Sequence, residues 1–187
     1  MGKRLLLLTE DVEDLKDDLS ELQINDIFFF GDYHGEIEWK VLEKDSEYLL
    51  AISEYGLDAK PFDKEGDTNS WNNCSLKKWL NSEFFNKAFD PEEKSLIESF
   101  DIGKVFLLSE NEAKKYFKSD SDRKCKPTQY AKSQGAYIKN GFTWWWLRTQ
   151  HFTGLSVKCI NISGDIGYDY VGNAKVSVRP CIIIKIK

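Results

Sequence analysis

The first periodic segment is TEDVEDLKDDLSEL, where Val12, Leu15, Leu19 and Leu22 recur at helical spacing. Thr9 is positioned to cap this helix, and acidic residues fill its first turn. From Asn25 the period shortens to two. DIFFFGDY reads as a strand ending at Gly31. EIEWKVLEK alternates Ile37, Trp39 and Val41 toward one face, and EYLLAISEYGL reads as a third strand. Three strands so closely spaced predict an antiparallel meander.

A polar loop, DAKPFDKEGDTNSWNN, leads into a helical stretch. Ser75 is predicted to cap LKKWLN. Asp90, Pro91 and the acidic pair Glu92 and Glu93 open a second helix. KVFLLS reads as a strand running into a helix whose Ser109 and Glu112 form a capping-box pattern. Thr128 begins a further short helix that Gly135 ends. The last third returns to strands: TWWWLRT, LSVKCINIS, DIGYDYVG and KVSVRPCIIIKIK, separated by Gly, Ser and Asn. Strands, then helices, then strands predict an α+β fold with segregated layers, not alternating βαβ units. The expected organisation is an amphipathic helical extension over residues 1–23 and one α+β domain over residues 24–187.

A length of 187 residues is enough for a sizeable core, and an aromatic share of 14% favours a sheet-rich interior. The formal net charge of -5 argues against a surface that tracks phosphates, so no nucleic-acid partner is expected. Lys114, Lys115 and Lys118 cluster on what reads as a solvated helix face. The early apolar run from Leu5 to Leu8 is too short for a bilayer span and is followed at once by acidic residues. No membrane association is expected, and the expected location is cytoplasmic.

Cys74, Cys125, Cys159 and Cys181 form no C-x-x-C pair, and His34 and His151 lie far apart. That spacing does not suit structural zinc, so buried thiols and no metal or cofactor are expected. Asp63, Glu65, Asp67 and Asn69 resemble calcium ligands in composition but lack the glycine and distal glutamate of an EF-hand loop. A phosphate-binding glycine loop and a G-x-S-x-G nucleophile elbow are both absent.

Three consecutive tryptophans stand in GFTWWWLRTQ. On a strand, Trp144, Trp146 and Arg148 share one face while Trp145 and Leu147 share the other. A strand apolar on both faces is a covered central strand. Trp144, Trp145 and Trp146 are therefore expected to hold the fold together. Arg148 and Arg179 are expected to stack on indoles or pair with carboxylates.

The ordered blocks IEWKVL, LLAISEYGLDAKPF, WNNCSLKKWLNSEFFNKAF, KVFLLSENEAKKYF, TQYAKSQGAY, WWLRT and VRPCIII resemble an uncharacterised bacterial domain family of unknown function, from about Ile24 to the C-terminus. The WWLR and VRP strands also resemble the formylglycine-generating-enzyme and C-type-lectin-like folds. That resemblance implies a twisted antiparallel sheet with several short helices, and a ligand face in the second half of the domain. TQHFTG, NISGDIGYDY and VGNAK supply tyrosines and small polar residues there. His151, Asn161, Asp165, Tyr168, Asp169, Tyr170 and Asn173 are the candidate ligand-binding residues, for an unidentified protein or glycan. The resulting expectation is a non-catalytic binding module. The alternative implied by the resemblance is a copper-dependent oxidase using Cys159 and Cys181.

Overall fold

The computed structural model of the chain describes residues 4–5 and 12–187, the first pair as backbone alone. The Thr9 cap and residues 6–8 of the early apolar run lie outside the described residues. In chain order the strands are β1 (Arg4–Leu5), β2 (Ile27–Asp32), β3 (Glu36–Lys44), β4 (Tyr48–Ser53), β5 (Asp58–Ala59), β6 (Val105–Phe106), β7 (Ile138–Lys139), β8 (Phe142–Thr143), β9 (Trp145–Gln150), β10 (Ser156–Ile160), β11 (Ile166–Tyr170), β12 (Ser177–Val178) and β13 (Cys181–Lys185). The helices are α1 (Val12–Glu21), α2 (Ser75–Trp79), α3 (Phe85–Ala88), α4 (Pro91–Leu96), α5 (Glu110–Tyr116), α6 (Asp120–Arg123) and α7 (Gln129–Ser133), with a π-helical turn over Leu80–Phe84. The architecture is mixed α+β, with mostly antiparallel sheets and short helices. Among the described residues no helix is long and apolar enough to cross a membrane.

The chain divides into two compact units. The first comprises Met1–Glu54, Leu80–Val105 and Cys181–Lys187, and the second comprises Tyr55–Trp79 and Phe106–Pro180. The sheet of the first runs β1-β2-β3-β4-β13-β6. Strands β2, β3 and β4 form the antiparallel meander that period two predicts, and β13 adds antiparallel to β4 with Cys181 opposite Ile52. Ile37, Trp39 and Val41 are buried on one face. A register shift between Val41 and Glu43 turns Leu42 inward as well. The Trp39 indole donates to the Phe30 carbonyl at 2.7 Å, and the rings of Trp39 and Phe30 lie 6.2 and 5.6 Å from Phe89.

Helix α4 carries the expected cap, with Asp90 accepting from the Glu93 amide and Glu93 accepting from the Asp90 amide. Glu93 also accepts from the Gly31 amide at 2.6 Å. At Gly31 φ is +78°, and a Cβ would stand 2.6 Å from the Ala88 carbonyl oxygen, so the position excludes a side chain twice over.

Helix α1 buries Leu15 and Leu19, and Leu22 follows them inside. The Lys44 ammonium donates to the carbonyls of Ser20 and Leu22, closing the helix end that has no basic residue of its own.

The sheet of the second unit runs β11-β10-β9-β12-β5, with β9 in the middle. Here the expected continuous strand TWWWLRT is broken. Phe142 and Thr143 belong to a separate hairpin with β7, and the central strand begins at Trp145. Asn140 and Gly141 turn that hairpin with φ of 55° and 81°. Two left-handed residues in a two-residue loop match the twist of the flanking strands, which makes Asn-Gly the favoured pair. KVFLLS is extended as a strand only over Val105–Phe106. The capping box of Ser109 and Glu112 and the Thr128 cap are present as the sequence predicts.

Ser75 behaves differently from its predicted role. It is the first residue of α2, and its hydroxyl accepts from the Lys64 amide at 2.6 Å. The Cys74 sulfur takes the capping position and accepts from the Lys77 amide at 3.4 Å.

Leu19 is fully enclosed, so Leu19→Ala should cost about 2–5 kcal/mol by cavity formation. Chemical denaturation of the single variant checks this, with an exposed control such as Glu13→Ala staying close to wild type.

Candidate functional site

The two tryptophans on β9 face opposite ways and are both fully enclosed. Trp145 lies opposite Ile160, and its indole N–H donates to the Arg123 carbonyl at 3.0 Å. Trp146 lies opposite Cys159 and donates to the Lys60 carbonyl at 2.9 Å. The Arg179 guanidinium covers Trp145 at 5.0 Å and Phe117 at 5.3 Å. Arg148 forms a two-pronged pair with Glu112, one prong at 2.7 Å, and also donates to the Leu107 carbonyl at 2.6 Å. Burial opposes ionisation of Glu112, yet the bonds from Arg148 and the Ser109 amide outweigh it and hold the carboxyl below its ordinary value.

Trp144 sits in a different setting. It precedes the central strand, and its carbonyl accepts from the Ser177 amide at 2.8 Å. Its side chain is only partly enclosed and walls a pocket of about 240 Å³. Tyr137 shares this aromatic wall, and Ile162 and Val176 add apolar surface. The Trp144 indole N–H is buried and finds no acceptor among the described residues.

The polar side of the pocket is built by β11 and the turn after it. Asp169 accepts from the Tyr170 amide and from the Asn173 side-chain amide, both at 2.7 Å. Asn173 in turn accepts from the Lys175 amide at 2.9 Å, and the Lys175 carbonyl accepts from the Tyr137 amide at 2.8 Å. Lys175 completes the lining, and no ion pair joins it to Asp169. The pocket therefore offers an aromatic wall, a carboxylate beside an amide, and a separate ammonium.

Of the seven candidate ligand residues, this arrangement brings together Asp169 and Asn173. His151 is buried, pairs with the Thr153 hydroxyl at 2.6 Å, and stacks on Tyr168 with ring centres 3.9 Å apart. Asn161 and Asp165 stitch the β10–β11 turn. The Asn161 side-chain oxygen accepts from the backbone amides of Ser163 and Asp165, and its side-chain NH2 donates to the Asp165 carboxylate at 3.1 Å. Tyr170 reaches the Gly66 carbonyl at 3.4 Å. Tyr168 and Tyr170 are half exposed and stand on the edge strand β11, as the strand reading of DIGYDYVG predicts. Tyr137, Ile162, Lys175 and Val176 were not singled out from the sequence. The Asn-Gly turn that presents Tyr137 was the available signal.

All four cysteines are buried, and none is joined in a disulfide. Burial, helped by the Asp169 charge, pushes the Cys159 thiol up to about 12, so it stays protonated at neutral pH. Among the described residues no group of three or more His, Cys, Asp or Glu side chains is placed to hold a metal ion. In the acidic loop, Asp63 is buried and its oxygens accept from the amides of Ser75 at 3.0 Å and Asp67 at 3.1 Å. Burial opposes its ionisation, but these backbone donors hold its carboxyl below the ordinary value. The carboxylate organises its own loop.

Residues 38–186 match the family model described as Domain of unknown function (DUF6273). No curated protein and no solved structure matches the chain.

Two outcomes follow from these settings. Trp145→Ala should cost about 3–5 kcal/mol, whereas Trp144→Phe, which removes a buried N–H that has no partner among the described residues, should not lower the thermal midpoint by more than about 2 °C. Thermal unfolding of the two variants checks the contrast. Glu112 has a lowered folded-state pKa, so its contribution is present above the unfolded carboxyl pKa and is lost as pH falls through the folded value. Glu112→Gln should therefore cost about 1.5–3 kcal/mol at neutral pH, with the difference from wild type shrinking in strong acid. Urea titrations at the two pH values measure it.

Proposed function

We propose that this chain, which belongs to the family of the domain of unknown function DUF6273, is a non-catalytic module that binds a small ligand or an exposed group of a larger partner in the pocket walled by Trp144. The observation that carries this reading is the pocket lining itself, where the aromatic wall of Trp144 and Tyr137 stands with the Asp169–Asn173 pair and Lys175. Aromatic and apolar walls with a few converging polar groups are the usual make-up of a binding pocket.

The pocket's titratable groups do not form a nucleophile with an adjacent base. Asp169 is engaged by two N–H donors, and the nearby Cys159 thiol is held protonated. That disfavours the oxidase alternative for this site. The C-type-lectin-like assignment of the fold belongs to the same proposal. It rests on the WWLR and VRP strands together with mostly antiparallel sheets and short helices. So do a cytoplasmic location and a partner that is a protein or a glycan.

Nitrogen-15 NMR tests the reading, because each of the six tryptophans gives its own indole signal. Trp144 is assigned by its loss in Trp144→Phe. Pools of monosaccharides and of short peptides are then added. The expected result is a saturable shift of the Trp144 indole while Trp145 and Trp146 stay in place. A Trp144 signal that ignores every pool, or that moves only in step with all the others, overturns the proposal.

A further inference from the structure

We infer that the ligand is an acidic sugar residue, a pyranose ring that carries a carboxylate. This rests on the binding reading above and names the chemistry that the pocket recognises. The first observation is the contact between Asp169 and Asn173, which sets a carboxylate acceptor beside an amide donor. Each Asp169 oxygen already takes one N–H and keeps lone-pair capacity. The Asn173 amide keeps a second hydrogen after donating to Asp169. A hydroxyl group suits such a pair, since it donates to the carboxylate and accepts from the amide at once. Adjacent hydroxyls on a ring repeat that pattern. An ammonium group does not, because the amide hydrogen opposes it.

The second observation is the aromatic wall of Trp144 and Tyr137. A pyranose presents a face of C–H groups that packs on such a surface. The volume of about 240 Å³ suits a single ring, with the rest of a chain lying outside.

The third observation is the charge pair that does not close. Lys175 and Asp169 line one pocket in a chain of net charge -5, yet no ion pair joins them. Asp169 is turned to its own donors, and the exposed Lys175 ammonium is left for the ligand. A carboxylate on the ring meets that ammonium, while the hydroxyls meet Asp169 and Asn173. A neutral hexose satisfies the second set and leaves Lys175 idle.

The experiment follows the Trp144 indole signal during titration with glucuronate, galacturonate, glucose, galactose and leucine. Wild type, Lys175→Gln and Asp169→Asn are compared. At least one uronate should bind roughly two- to fivefold more tightly than its neutral parent, the size of an exposed ion pair, and added salt should reduce the advantage. Lys175→Gln should abolish the advantage and leave neutral-sugar binding in place. Asp169→Asn should weaken both sugars, while unmoved Trp145 and Trp146 signals show that the fold is retained. Equal binding of acid and neutral forms, or a preference that survives Lys175→Gln, overturns the acidic assignment. Movement of the signal by leucine or by the short peptides, but not by sugars, overturns the sugar class and leaves the pocket reading standing. No response to any probe overturns the reading on which this inference rests.

Discussion

An indole buried in a sheet must find an acceptor for its single N–H, and two adjacent tryptophans on a central strand must find theirs on opposite faces. In the second unit this requirement is met by the carbonyls of Arg123 and Lys60. The first is the last carbonyl of α6 and the second a loop carbonyl, so the strand pins a different segment to each of its faces. The effect spreads outward from Arg123, whose guanidinium reaches the carbonyls of Gly164 and Phe117 and the carboxylate of Asp120. Gly164 has a φ of +91°, and a Cβ there would collide with the Asp120 backbone. The turn between β10 and β11 is thus seated against helix α6, which supports Trp145, and β11 in turn carries Asp169 to the pocket.

Features that depend on a few neighbouring residues were legible in the sequence. The caps at Asp90, Ser109 and Thr128 each need one side chain three residues from its backbone partner, and all three formed. The alternation of Ile37, Trp39 and Val41 was equally local. The misreadings arose where a longer-range partner decided the outcome. Ser75 has the right residue type for a cap, but its hydroxyl serves the Lys64 amide and leaves the cap to Cys74. TWWWLRT has strand propensity throughout, but the Asn140–Gly141 turn claims Phe142 and Thr143 for another hairpin and splits the run at Trp144.

That split explains why the candidate site was only partly visible. Composition pointed to the region of Asp169 and Asn173, which does line the pocket. It does not tell whether a polar side chain faces outward or secures its own turn. Asn161 and Asp165 do the latter, and His151 is buried against Tyr168. The other wall comes from residues brought in by pairings distant in sequence, such as the Tyr137 amide on the Lys175 carbonyl and the Ser177 amide on the Trp144 carbonyl. Period-two logic grouped Trp144 with its neighbours. Only the break in the strand gives it a separate environment.

Helix ends ordinarily fray, because their first amides have no partners inside the helix. The start of α5 is tied down by the strand beside it. Glu112 serves both as the cap of its own helix and as the anchor of Arg148, the Glu110 amide donates to the Thr149 hydroxyl at 2.8 Å, and the Arg148 amide donates to the Leu108 carbonyl at 2.9 Å. The first turn therefore cannot open while β9 stays in place. Its amide protons are expected to exchange with solvent as slowly as the sheet's interior, with the helix start and the strand opening as one unit.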